Sequence, residues 1–83
     1  MTLEFAYQFR QAEPRSDLRD LDRVALTKAA ISDDGDALAP GTEGTIVSVY
    51  RNGEAYVVEF PVPLGAMATV RPANLRLIER APV

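Results

Sequence analysis

The chain has no cysteine and no histidine. The first absence excludes disulfides, thiolate metal sites and cysteine nucleophiles. The second removes the usual general base, the near-neutral pH switch and the commonest metal ligand. Tryptophan is missing as well, and Lys28 is the only lysine. Nine basic residues stand against twelve acidic ones, for a net charge of −3. A domain that binds nucleic acid through phosphates normally gathers positive charge on one face, so this balance disfavours such a partner. No run approaches the length of a membrane span, and Glu4 stands where a secretory signal would be positive. These absences set the expectation of a cytoplasmic protein that is no enzyme. It should need no cofactor or metal, touch no membrane and take no small-molecule substrate.

What is present reads as a small all-β domain. At 83 residues the chain has room for one domain with a small core, and 47% apolar content is ordinary for a globular protein. It divides into an N-terminal arm, residues 1–21, and a body, residues 22–80. In the body, Gly41-Thr-Glu-Gly-Thr-Ile-Val-Ser-Val-Tyr50 and Glu54-Ala-Tyr-Val-Val-Glu-Phe60 flank Asn52-Gly53. Asn-Gly supplies the positive φ angles of a tight hairpin, and branched and aromatic residues suit the flanking strands. Tyr56, Val58 and Phe60 alternate onto one face and are expected inside. Gly44 reads as a bulge or tight bend.

The remaining elements follow from period and punctuation. Asp22–Thr27 is a first strand with Val24 and Leu26 on one face. Residues 28–40, with Ser-Asp-Asp-Gly-Asp at their centre, read as a loop too polar to be buried. Pro61-Val-Pro-Leu-Gly65 cannot continue a ladder. Ala66–Arg71 is a fourth strand, Pro72-Ala-Asn74 suits one tight helical turn, and Leu75–Glu79 is a fifth strand. Five short strands, a central hairpin and a helical turn before the last strand describe a five-stranded SH3-like barrel.

Several constellations carry little chemistry. The acidic run Asp33–Asp36 lacks the repeat and the twelfth-position glutamate of a calcium loop, and reads as a solvated turn. Glu54 and Glu59 sit five apart in one strand and so point to opposite faces, which rules against a carboxylate pair. Glu59 is expected to face solvent, opposite an arginine on a neighbouring strand. Arg51, Arg71, Arg76 and Arg80 form the one candidate basic surface for nucleic acid, with Tyr50 as its only nearby stacking platform.

The arm is the sharpest clue. In Leu3-Glu-Phe-Ala-Tyr-Gln-Phe9 every odd position is large and apolar, and three of the six aromatics fall here. Period two marks a strand with one buried face. Leu3, Phe5, Tyr7 and Phe9 are therefore the candidate partner-binding residues. Three destinations fit: an extra strand on the arm's own barrel, exchange with a second copy, or addition to a different protein.

From Asp22 to Ile78 the chain resembles an uncharacterised family of small bacterial SH3-like proteins. The resemblance is carried by Asp22, Val24 and Leu26, by Gly41-x-x-Gly44-Thr-Ile-Val-x-Val-Tyr50, by Gly53-Glu-Ala-Tyr-x-Val-Glu-Phe60 and by Pro72-x-x-x-Leu75-Arg. More distantly it is similar to the folds of nitrile hydratase β-subunits and KOW modules. The family implies the barrel and no activity. Without tryptophan or clustered tyrosines, the proline-rich ligand site of peptide-binding SH3 domains is not expected. The functional expectation is a non-enzymatic interaction or assembly module, such as a small accessory subunit or one member of a toxin–antitoxin-like pair. The alternative is a KOW-like nucleic-acid binder.

Overall fold

The computed structural model describes residues 18–82. Among the described residues the chain is all-β apart from one 3₁₀ turn. Its strands are β1 (Arg23–Leu26), β2 (Ala30–Ile31), β3 (Ala37–Leu38), β4 (Glu43–Tyr50), β5 (Ala55–Phe60), β6 (Ala66–Val70) and β7 (Leu75–Glu79), with the 3₁₀ turn at Pro72–Asn74. Five strands form one antiparallel sheet in the order β6-β5-β4-β1-β7, and β2-β3 form a separate two-stranded ribbon. Among the described residues the sheet does not close on itself.

The core follows from period two. Val58 lies between Ile46 and Ala68, and Tyr56 between Val49 and Val70. Tyr56, Val58, Phe60, Ile46 and Val24 are fully buried. Burying each such side chain contributes about 1.5–3 kcal/mol, which is what holds so small a sheet together. Glu59 is exposed on the other face as expected, but its cross-strand neighbours are Thr45 and Met67 rather than an arginine. The ion pairs of that face centre on Arg23 instead, which reaches Glu43 at 3.2 Å and Glu79 at 2.9 Å.

The central hairpin forms where Asn-Gly marks it, one residue out of step. Tyr50 pairs with Ala55, and the Gly53 N–H donates to the Tyr50 carbonyl at 3.2 Å. The turn's central residues are therefore Arg51 (φ 50°) and Asn52 (φ 60°), with Gly53 (φ 97°) following. Three consecutive positive φ angles reverse the chain, and the arginine occupies a conformation that favours glycine or asparagine.

Gly44 is not a bulge. The register slips between Ile46 and Ser48, which places the bulge at Val47. At Gly44 two backbones approach closely. A Cβ there would lie 2.7 Å from the Glu59 carbonyl oxygen and 2.8 Å from the side chains of Val58 and Phe60. Only glycine lets β4 lie this close to β5.

The stretch 28–40 is also more ordered than its polarity suggests. Ser32 and Leu38 are buried within it. The Ser32 hydroxyl accepts the N–H groups of Asp34 and Asp36, and the Asp33 N–H donates to the Met67 carbonyl at 2.7 Å. One serine satisfies the turn internally, so β2-β3 can fold over the outer edge of β6.

Candidate functional site

Leu3, Phe5, Tyr7 and Phe9 lie outside the described residues. The root of the arm, however, is built in detail. Leu18 packs against the core, and its carbonyl accepts the Tyr56 hydroxyl at 3.2 Å. The Leu21 N–H donates to the Ile46 carbonyl at 2.7 Å, and the Ile46 N–H returns to the Asp22 carbonyl. Between these anchors Leu21 is held at φ 70° with its side chain 63% exposed. A bulky residue in the left-handed region is rare, and it persists only when its surroundings over-determine it.

Asp22 does the fixing. Its carboxylate is buried and accepts three hydrogen bonds: Arg19 N–H at 2.9 Å, Ala81 N–H at 2.8 Å and Arg80 Nη1 at 2.8 Å. All three donors belong to the two terminal segments, so this one side chain clasps both ends of the chain to β1. Burial by itself would raise the Asp22 pKa. The two backbone N–H groups and the Arg80 charge outweigh it and hold the carboxyl below its ordinary value.

The four arginines do not gather. Arg80 is bonded to Asp22. Arg51 sits at the hairpin tip with its guanidinium 5.3 Å above the Tyr50 ring. Val70 pairs with Tyr56, so Arg71 follows it toward the same end of the sheet. Arg76 is level with Ala25 and Glu43 at the other end. The eight residues of β4 from Glu43 to Tyr50, seven steps along the strand, span about 23 Å. Arg51 and Arg71 thus share an end with Tyr50, while Arg76 is remote from them.

Two sheet edges remain. β6 is covered by the β2-β3 ribbon through the Asp33–Met67 bond. β7 has β1 as its single neighbour among the described strands. Leu77 in β7 pairs with the buried Val24 and so lies on the core face, yet it is 39% exposed. An apolar side chain on the core face is thus partly exposed where the described strands stop.

Among the described residues no group of three or more acidic side chains is placed to hold a metal ion. The residues around Asp33–Asp36 are tied up by Ser32 as a turn. A shallow groove runs beside Thr45, Glu59, Phe60, Pro61 and Leu64, with Glu59 as its one ionisable group. Among the described residues no helix is long and apolar enough to cross a membrane.

Sequence reasoning missed the Asp22 clasp. Its signal, an aspartate opening an apolar strand, is visible, but two of its three partners lie 58 and 59 positions away. No curated protein matches the chain, and no solved structure does. A family model described as "Domain of unknown function (DUF4926)" matches residues 20–77, from the clasp to the exposed leucine of β7, and the chain belongs to that family.

Proposed function

We propose that the protein is a non-enzymatic assembly module whose N-terminal strand docks by adding to a sheet, in the first instance that of a second copy. The observation that carries this reading is the outer edge of β7, where Leu77 shares the core face and is 39% exposed, with no neighbouring strand among the described residues. An open edge of this kind is a template for pairing with another chain, and affinity comes from backbone hydrogen bonds with alternate side chains giving specificity. The alternating Leu3, Phe5, Tyr7 and Phe9 supply a strand of the required pattern. We read the body as an SH3-like barrel. The strand order β7-β1-β4-β5-β6, the long bulged β4 and the 3₁₀ turn before the last strand support that reading.

Light scattering of the full chain beside a chain lacking residues 1–15 tests it. The full chain should have twice the 9.1 kDa monomer mass, and the shortened one should be a monomer. Two equally stable monomers would end the assembly reading.

The stacking of Arg51 over Tyr50 favours a second, narrower reading. Tyr50, Arg51 and Arg71 together resemble a small platform for a single-stranded nucleic acid. It requires salt-sensitive retention of RNA or DNA in a filter-binding assay, lost in Tyr50→Ala.

A further inference from the structure

We infer that the C-terminal segment, residues 80–82, is a latch on the root of the N-terminal arm: the turn from Arg19 to Asp22 keeps its shape only while that segment is seated on Asp22. The latch lies wholly within residues 19–22 and 80–82, so it stands or falls apart from the assembly reading.

Three observations carry it. The first is that the root is strained and gains little from burial. The Asp22 N–H donates to the Arg19 carbonyl at 3.1 Å and closes a four-residue turn. Leu21, its third residue, is held at φ 70°, where such a turn normally takes glycine or asparagine. The Leu21 side chain is largely exposed, so packing does little to fix it. Hydrogen bonds hold the turn instead. The Leu21 N–H reaches the Ile46 carbonyl, and the Arg19 N–H is tied to the Asp22 carboxylate.

The second is that this carboxylate is shared. Oδ2 accepts both the Arg19 N–H and Arg80 Nη1, while Oδ1 accepts the Ala81 N–H. One side chain thus serves the arm root and the C-terminal segment at once.

The third is the cover over it. Asp22 is fully buried, and Arg80, Ala81 and Pro82 line a surface pocket together with Arg19, Asp20 and Asp22. The C-terminal residues are therefore part of what keeps water from the carboxylate. A hydrogen bond is stronger where water is excluded. Lifting residues 80–82 hydrates the carboxylate, and water then competes with the Arg19 N–H. The strain at Leu21, no longer over-determined, favours relaxation of the turn. Asp22 is thus an element with two arrangements, seated or hydrated, that both ends of the chain bias. Anything that takes hold of residues 80–82 frees the start of the arm.

Amide hydrogen exchange on the full chain, resolved by residue, tests this. Ala81→Pro removes one donor to Asp22 and alters no charge. Exchange at Arg19 and Leu21 should rise about 5–10-fold, the low end of ordinary couplings between sites, with rates in β5 and β6 unchanged. Arg80→Ala combined with Ala81→Pro takes away both C-terminal donors, and the rise at Arg19 and Leu21 should be larger still. Unchanged exchange at Arg19 and Leu21 in the double variant would overturn the latch. So would a rise of equal size in β5 and β6, which would mark general destabilisation and no local release.

Discussion

Replacing Asp22 with alanine removes a fully buried carboxylate together with three hydrogen bonds of 2.8–2.9 Å. The donors left behind are the N–H groups of Arg19 and Ala81 and the guanidinium of Arg80. They border a surface pocket, so water can reach them, and the low end of the usual range applies: about 1 kcal/mol per bond, or ~3 kcal/mol in all. A domain of 83 residues has roughly 4–12 kcal/mol of stability in total, so the clasp is a large share of it. Thermal unfolding should drop by about 12–24 °C. Asp22→Asn keeps the shape and loses the charge, and its amide group would face the donors of Arg80, so it should lose ~2 kcal/mol. The sign of the pH dependence also follows. The folded-state pKa of Asp22 lies below its ordinary value of 3.8. Its contribution is therefore complete above the unfolded-state value and disappears as pH falls through the folded one. Urea unfolding at pH 7 and at steps down to pH 2.5 measures both effects. Asp22→Asn should unfold earlier at pH 7 and should show a flatter loss of stability in acid. A variant within 0.5 kcal/mol of the natural chain (the ordinary scatter of surface substitutions) with the same acid limb would refute the clasp.

Other substitutions probe other joints. Gly44→Ala should cost ~2–4 kcal/mol by urea unfolding, because its methyl would press on the Glu59 carbonyl, which cannot rotate away. Tyr56→Phe should cost ~1 kcal/mol, and hydrogen exchange should speed up selectively at residues 18–21 as the Leu18 anchor is lost. Arg51→Asn should raise stability by about 0.5–1 kcal/mol, since asparagine tolerates the left-handed turn better. A decrease there would mean that the stacking on Tyr50 outweighs the backbone strain.

The parts of the fold legible in the sequence are those set by local pattern. Alternation alone places Tyr56, Val58 and Phe60 inside, and Asn52-Gly53 locates the reversal. The one-residue offset of the turn arises because the bonds close on Tyr50, a choice made by the strand register and not by the turn residues. Gly44 is ambiguous in a sequence, since a bulge and a close backbone approach both favour glycine. Its neighbours Val58 and Glu59, which decide the matter, come from the opposite strand. The β2-β3 ribbon escaped because its stability comes from one hydroxyl, that of Ser32, and from a bond to Met67 far along the chain. Of the candidate site, the alternating arm and the arginines could be seen, and the Asp22 partnership could not. What separates the arginines, the register running from Glu43 to Tyr50, is likewise a long-range property.

Sedimentation equilibrium on three full-length proteins puts the most weight on the docking stripe. These are the natural chain, Phe5→Ser with Tyr7→Ser, and Glu4→Ser with Gln8→Ser. Burial of two aromatic side chains is worth about 4 kcal/mol per arm, and a closed dimer seats two arms, so the first pair should weaken self-association by about 8 kcal/mol, on the order of a million-fold. The second pair, on the other face of the strand, should leave it nearly unchanged. Equal weakening by both pairs, or by neither, would contradict the account.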